Sequence, residues 1–323
     1  MKFHYNHNGI LIPDIVGTQC VNTLKVKDVE FPVRCGKCLP CKKRRRNEWS
    51  LRLEHEYLFS DSAYFITLTY DDLNVPYHYW QNKYKYKIHP ITKKKIVVKR
   101  WKEIVRTDKP TLNRKDVQDY IKRIRNAQTK YYKGKAVIPK KIRYYLCAEY
   151  GDKTYRPHYH IILFNYDVDN IIELDNKWHK GYTQISELNS ARINYTAKYM
   201  FKSFNIKDTR EKPYALMSKK PIIGQAYLDN YGTYHINNEN LETADQNGNL
   251  RRLPKAYIKR LFTNREDRIA LSLKNYEEFQ NKQEKQYQQK LEKYFNNDHY
   301  KFTKSIESDL QRRLKTINNK ETL

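Results

Sequence analysis

Hydrophobic and polar positions follow two periods along this chain. From about Leu39 to Ser60 apolar residues recur every fourth position, with Trp49, Leu53 and Tyr57 on one line behind the cluster KKRRR at 42–46. That spacing predicts a helix with one packing face and one basic face. AYFITLTY, Ala63 to Tyr70, is rich in β-branched and aromatic residues and ends at Asp71 and Asp72, the pattern of a central strand. KYKYKIHPITKKKIVVKRWK, Lys83 to Lys102, alternates basic and apolar residues around a His-Pro-Ile-Thr turn and predicts a hairpin. Asn113 is placed to cap a helix that carries Val117, Tyr120, Ile121 and Ile124 on one stripe and Asp116 in its first turn. KIRYYLCAEY (141–150) and HYHIILF (158–164), separated by GDKTYRP, predict a second hairpin.

After a connector, NYTAKYMFK (194–202) sets Tyr195, Lys198, Tyr199 and Lys202 at i, i+3, i+4 and i+7. On a helix these four share one face, with Ile193, Ala197, Met200 and Phe204 on the other. Residues 1–34 read as irregular or weakly stranded, and 206–256 as a stretch punctuated by Pro and Gly. From about Glu266 onward the sequence is charged and helical, an exposed helix or frayed tail. These shifts predict three regions: 1–60 with the cysteine cluster and basic helix, 61–262 as the main domain, and 263–323 as a charged helical tail.

Charge narrows the function. The 323 residues carry 63 Lys and Arg against 36 acidic residues, a formal net charge of +27. Such a chain repels itself away from a polyanion, which makes nucleic acid the expected partner. No apolar run approaches the roughly 20 residues needed to span a bilayer, and the first residues lack a signal-peptide core, so the expected location is intracellular, with no membrane partner. Five cysteines in a long chain argue against a disulfide framework and for a reducing compartment. The absence of a GxxxxGK[ST] loop argues against a built-in ATP-driven motor.

The candidate chemistry sits on the second hairpin and the tyrosine helix. His158 and His160 are two apart on a strand, so both imidazoles project from one side of the sheet, and Glu149 closes the preceding strand across the turn. Two imidazoles and a carboxylate suit Mg²⁺ or Mn²⁺ with positions left for phosphate oxygens, and Zn²⁺ satisfies the same set. The bland reading is a pair of histidines packed among aromatics. A phenol of pKa near 10 is only about 0.1% ionised at neutral pH, so tyrosine attacks a phosphodiester only where the phosphate is polarised and cations such as Lys198 and Lys202 hold the developing charge. Attack by Tyr195 or Tyr199 would leave a 5′-phosphotyrosine and a free 3′-hydroxyl. For the first hairpin, Lys83, Lys85 and Lys87 among tyrosines and Trp101 suit DNA contact, and the alternative is a solvated ribbon guarded by lysines.

FITLTY (65–70), RPHYHIILF (156–164) and NYTAKYMFK (194–202), in this order, resemble the three motifs of the HUH endonucleases that initiate rolling-circle replication, with the two-tyrosine spacing of the microvirus type. CGKCLPC (35–41), AEYG (148–151) and ALMSKKPIIG (215–224) resemble the gokushovirus branch, and the likeness spans most of 20–260. The Lys, Asn, Ile and Tyr bias fits an AT-rich genome, such as that of a mollicute phage.

The resemblance implies an α+β fold: a central antiparallel sheet with packed helices, here followed by a helical C-terminal extension. It implies His158 and His160 as the metal pair, Glu149 as the acidic third ligand, Tyr195 and Tyr199 as alternating nucleophiles, and Lys198 and Lys202 as phosphate partners. It implies nicking of phage origin DNA, single-stranded or supercoiled duplex, covalent capture of the 5′ end, and rejoining to release single-stranded circles in the bacterial cytoplasm, with host helicase and DNA polymerase as partners. The competing class is a non-enzymatic single-strand-binding or packaging protein. Lys42, Lys43, Arg44, Arg45, Arg46 and Arg156 join the lysines of the first hairpin as candidate DNA contacts. Cys35, Cys38 and Cys41 form CxxCxxC, which Cys20 could complete as a structural Zn²⁺ site, and Cys147 reads as core.

Overall fold

The computed structural model describes residues 3–5, 11–13, 35–36, 38–128, 130–132, 135–137, 140–151, 154–166, 171–199, 208–245, 248–302, 304–305 and 308. In chain order the elements are β1 (Phe3–Tyr5), β2 (Leu11–Pro13), α1 (Leu39–Leu58), β3 (Ala63–Tyr70), β4 (His78–Ile88), β5 (Lys95–Arg106), α2 (Arg114–Gln128), β6 (Lys130–Tyr132), β7 (Lys135–Val137), β8 (Arg143–Tyr150), β9 (Pro157–Phe164), α3 (Ile171–Asn176), β10 (Gly181–Glu187), α4 (Ser190–Tyr199), β11 (Tyr214–Met217), α5 (Gln225–Asn237), β12 (Glu242–Ala244), β13 (Leu250–Arg252), α6 (Lys255–Leu261) and α7 (Arg265–Phe295). Two compact units result: Arg46–Thr233 with Glu242–Pro254, and Met1–Arg45 with Tyr234–Leu241 and Lys255–Leu323.

The first of these units is built on a five-stranded sheet of order β10-β3-β9-β8-β11, every neighbouring pair antiparallel. The fold is α+β with a central antiparallel sheet, as the sequence leads one to expect. Along β3 burial alternates: Tyr64, Ile66, Leu68 and Tyr70 point into one core, while Ala63, Phe65, Thr67 and Thr69 face the opposite side. The first core takes the α2 stripe, Val117, Tyr120, Ile121 and Ile124, all buried as their spacing predicts. Asn113 caps α2 by accepting a hydrogen bond from the Lys115 N–H at 3.0 Å. Below that cap, the Tyr70 hydroxyl donates to Asp116 at 3.0 Å and lies 2.9 Å from the Tyr159 hydroxyl, tying the start of α2 to the two central strands.

The other side of the sheet is covered by α1 and α4, with Leu53, Tyr145, Cys147, Ile162, Phe164, Leu188, Ile193 and Ile223 in its core. Cys147 is a core residue there, as expected, and burial pushes its thiol up to about 12. α1 differs from its sequence reading. Tyr57 was expected to pack in line with Trp49 and Leu53, yet it is exposed, and the helix instead buries Arg52, Glu54, His55 and Glu56. Distant partners meet the charges of this set, which is why burial is tolerated. Arg143 of β8 forms an ion pair with Glu56 and donates to the Ile222 carbonyl at 2.7 Å; Arg52 donates to the Ile223 carbonyl at 3.2 Å, and Arg251 pairs with Glu54 at 3.2 Å. The ALMSKKPIIG stretch is thus held by its backbone carbonyls to α1 and β8.

The connector before the tyrosine helix supplies an edge strand, β10, that the sequence did not announce. Its first residue, Gly181, lies so close to β3 that a Cβ there would meet the Asp71 nitrogen at 2.3 Å and the Thr69 carbonyl oxygen at 2.4 Å, so only glycine fits. Likewise the stretch 206–256 holds β11 and α5 where punctuation alone was visible.

The second unit contains the cysteine segment, α6 and the long α7, which bears out the helical reading of the tail as far as the described residues reach. Asn264 caps α7 by accepting from the Glu266 N–H at 3.1 Å, and Glu266 and Asp267 lie in the first turn, where negative charge is favoured. Tyr287, Leu291 and Phe302 form a small apolar knot at the far end of α7.

Candidate functional site

Strand register assembles the residues singled out by spacing. In the β3/β9 pairing Thr67 lies opposite His160 and Thr69 opposite His158. In the β8/β9 pairing Cys147 lies opposite His160 and Glu149 opposite His158. Period-two alternation therefore puts Thr67, Thr69, Glu149, His158 and His160 on the same side of three adjacent strands, the side covered by α4.

Each imidazole is held from β3 through its Nδ1: Thr67 Oγ1 is 3.1 Å from His160 Nδ1, and Thr69 Oγ1 is 3.2 Å from His158 Nδ1. A hydroxyl can donate or accept, so it serves either tautomer while fixing the ring plane. His160 Nε2 lies 2.9 Å from Glu149 Oε1, and the second oxygen of that buried carboxylate has no hydrogen-bond partner among the described residues. His158 has its Nε2 near Gly151, where a Cβ would come within 2.9 Å of that nitrogen. Glycine at the end of AEYG leaves the nitrogen open. Burial, and secondarily the charges of His160 and Arg156, hold the His158 imidazolium pKa below its ordinary range, so the ring is a neutral lone-pair donor at physiological pH.

α4 lies across this side of the sheet. Asn189 caps it by accepting from the Arg192 N–H at 2.9 Å. Ile193, Thr196 and Ala197 are fully buried against the sheet, while Asn194, Tyr195 and Lys198 are exposed. Two polar contacts fix the helix further: Ser50 of α1 donates to the Asn194 side chain, and the Cys147 thiol donates to the Thr196 carbonyl at 3.3 Å. The result sets the Tyr195 ring edge-on to His160, centroids 5.5 Å apart, and edge-on to Phe65, which itself stacks on His160 at 5.6 Å. The backbone of α4 extends to Tyr199, whose side chain, like the whole of Lys202, lies outside the described residues. The same holds for Met200 and Phe204.

Of the remaining candidates, Cys35, Cys38 and Cys41 do meet: their Sγ atoms all lie within 4.8 Å of one another, and they could hold a metal ion. The Cys38 N–H donates to Cys35 Sγ at 3.4 Å, and α1 begins at the next residue. Cys20 lies outside the described residues. Lys42, Lys43, Arg44, Arg45 and Arg46 occupy the opening turns of α1 and, being consecutive, point to all sides of it. Arg156 is engaged within the fold, donating to the Tyr70 carbonyl at 3.0 Å and to Asp72 at 2.6 Å. Lys83, Lys85 and Lys87 lie on β4, whose antiparallel pairing with β5 confirms the first hairpin. Sequence reasoning did not find Thr67, Thr69, Gly151, Ser50 or Asn194; Thr67 and Thr69 were legible only as alternate residues of a strand.

Residues 63–204 match a family of replication-associated proteins, the one that takes its description from the protein ORF2. The chain is 24% identical over 287 residues to the replication-associated protein ORF2 of Spiroplasma virus 4, covering 83% of this chain and 77% of that one. It is 26% identical over 249 residues to the replication-associated protein VP4 of Bdellovibrio phage phiMH2K, covering 72% and 66%. It is 23% identical over 199 residues to the replication-associated protein ORF4 of Chlamydia phage 1, covering 56% and 40%. No solved structure gives a significant match. No helix among the described residues is long and apolar enough to cross a membrane. The family match and the phage relatives support a microvirus-type replication initiator.

Proposed function

We propose, from the support for a microvirus-type replication initiator, that this chain is a metal-dependent DNA nickase and strand transferase acting at the origin of a circular phage genome. The observation that carries the proposal is the Tyr195 ring set 5.5 Å from the His160 ring, on a carboxylate-bonded imidazole. The donor set fits a divalent ion: two imidazoles held through Nδ1 by threonines, the open Nε2 of His158, and a buried Glu149 oxygen with no hydrogen-bond partner among the described residues. Glu149, His158 and His160 would hold Mg²⁺ or Mn²⁺, which when bound polarises the scissile phosphate.

Tyr195 Oη attacks phosphorus as its proton is lost, the P–O3′ bond breaks, and the leaving 3′ oxygen takes up a proton as a free hydroxyl. The 5′ end stays on the enzyme as a phosphotyrosine ester, so the bond energy is kept for rejoining. Lys198, exposed beside Tyr195 on α4, and Lys202 hold charge on the phosphate oxygens. Tyr199, a helical turn on, takes the second cut after one round of copying by host polymerase and helicase, and the released 3′-hydroxyl then attacks the first linkage to close a single-stranded circle.

Incubating the protein with labelled single-stranded fragments of the phage replicative form and Mn²⁺ is expected to give a protein–DNA adduct that survives SDS. A non-enzymatic single-strand binder gives none, and a hydrolase that uses water cleaves without one. Persistence of the adduct in the double variant Tyr195→Phe, Tyr199→Phe would sink the assignment of the nucleophiles.

The cysteine cluster has a separate role in this reading, a structural Zn²⁺ site. Five cations at the start of α1 oppose the helix dipole, and three thiolates around Zn²⁺ carry a net negative charge that offsets them beside the same turn. Metal analysis of the purified protein should find zinc, lost in Cys38→Ser while adduct formation on single strands is measured in parallel.

A further inference from the structure

The β4–β5 ribbon is built unlike the sheet it leaves. Its strands of 11 and 12 residues form a separate two-stranded sheet, and at the base Tyr79 is buried and donates to the Thr209 carbonyl at 3.2 Å. Beyond that base both faces are solvent-facing, with Trp80, Tyr84, Tyr86, Ile88, Ile96, Val98, Trp101 and Ile104 all exposed. A lone hairpin with no apolar face to bury is at best marginally stable in water. Between His78 and Arg106 it carries ten Lys and Arg against one carboxylate, Glu103.

Register shows where those cations go. Lys83 pairs with Trp101 and Lys85 with Lys99 on one face; Asn82 pairs with Lys102 and Tyr84 with Arg100 on the other. Two lysines set directly opposite in an antiparallel pair repel each other, and the ribbon's one carboxylate lies nearer its base, 3.8 Å from Lys83. Charge on a single face would suit a strand of DNA laid across it. Charge on both faces calls for phosphate on both sides at once. The major groove of duplex DNA offers that: it is about 12 Å wide between two phosphate walls and admits a two-stranded β-ribbon. At about 3.3 Å per residue the ribbon runs roughly 36 Å, about one turn of the duplex.

We propose that the β4–β5 ribbon is a duplex-binding arm that enters the major groove next to the origin, separate from the single-strand chemistry at His158, His160 and Tyr195. Its exposed aromatic and aliphatic side chains meet base edges and thymine methyl groups, and its cations meet both backbones. The arm follows the end of β3 that carries Thr69, after the connector 71–77, so the element that grips duplex is rooted beside the imidazoles. The proposal rests on the reading of the chain as a DNA-nicking initiator.

The test uses the full chain and the triple variant Lys99→Ala, Arg100→Ala, Lys102→Ala. Binding is measured by anisotropy across a salt series, on an AT-rich duplex of the phage replicative form and on one of its strands alone. Each cation removed should lower the magnitude of the duplex salt slope by about 1, giving a loss of about 3 in slope and at least a tenfold loss of duplex affinity near 150 mM salt. The single-strand slope and the SDS-stable adduct on single strands should not change. Protection of arm lysines of the unmodified protein from acetylation by duplex, but not by the single strand, is the matching result that needs no variant. Equal losses on both probes, or a loss confined to the single strand, would overturn the duplex arm in favour of a stacking platform, and unchanged duplex binding would remove the arm from DNA altogether. If adducts form on single strands while the duplex ignores the variant, the arm proposal alone fails; if no adduct forms at all, the nickase reading fails first.

Discussion

β9 and the β4–β5 ribbon are both antiparallel structure, and they differ in what surrounds them. β9 is paired on both edges, by β3 and β8, and nearly every side chain on either face is buried. β4 and β5 pair with each other, and most of their side chains meet water. In the first case each polar group has an assigned neighbour: Thr67 and Thr69 for the imidazoles, His160 for Glu149. In the second, cations outnumber the one carboxylate ten to one, and Lys85 faces Lys99. A region whose polar groups are satisfied internally holds reactive atoms still; a region whose charges are largely unmatched is completed by something outside the chain.

If that contrast is right, equal substitutions should have unequal effects in the two places. The largest is expected at Glu149→Gln, which keeps shape and removes the charge that would face the metal. Metal-dependent adduct formation should fall on the order of 1,000-fold, the equivalent of several kcal/mol of transition-state stabilisation. In the ribbon, Lys99→Ala alone should lower the duplex salt slope by about 1 and leave single-strand cleavage untouched. Rates of adduct formation under single-turnover conditions compare the two directly, and comparable losses would erase the distinction.

Next in size is packing. Ile161 of β9 is fully buried, so Ile161→Ala should cost about 2–5 kcal/mol of stability through lost burial and the cavity left behind. Ile96 of β5 is 44% exposed and on the ribbon, where Ile96→Ala should stay within about 0.5 kcal/mol. Urea unfolding read by tryptophan fluorescence measures both. A large cost at Ile96 would mean the ribbon packs within the molecule in solution.

Much of the sheet was legible from the sequence because its signals are local. The Asn113 cap, the α2 stripe, the FITLTY strand and the hairpin around GDKTYRP are all set by neighbours a few residues away. α1 was misread for the opposite reason. Its buried face is Arg52, Glu54, His55 and Glu56, and the partners that make this tolerable, Arg143, Ile223 and Arg251, come from β8 and from the far side of the tyrosine helix in sequence. Tyr57, apolar and at the right spacing, is exposed instead. Within the candidate site, spacing brought out His158, His160 and Tyr195, but the threonines that aim the imidazoles depend on β3/β9 register, which no periodicity reveals.

That register dependence allows two finer tests of the sheet side of the comparison. Gly151→Ala would bring a methyl group against His158 Nε2, displacing the ring or closing its lone pair. A shift of about 1 Å at a reacting centre costs up to about 100-fold in rate. The loss should appear in adduct formation and in metal affinity together, with the melting temperature little changed, since Gly151 has no positive φ to strain.

The smallest effect expected on the sheet comes from Thr69→Val, which keeps the volume and branching of the side chain and removes only the oxygen 3.2 Å from His158 Nδ1. The imidazole remains, Gly151 still leaves Nε2 open, and the strand keeps a β-branched residue. What is lost is the hold on tautomer and ring orientation, worth about 10-fold to 100-fold in metal affinity where such partners have been removed. Rate at saturating Mn²⁺ should therefore recover, while the Mn²⁺ concentration needed for half-maximal adduct formation rises. A rate loss that excess Mn²⁺ does not restore would mean Thr69 orients something other than a metal ligand. An unchanged Mn²⁺ requirement would mean that burial alone fixes the ring. The same change at Thr67 should be milder, because His160 is also held at Nε2 by Glu149 and stacked on by Phe65.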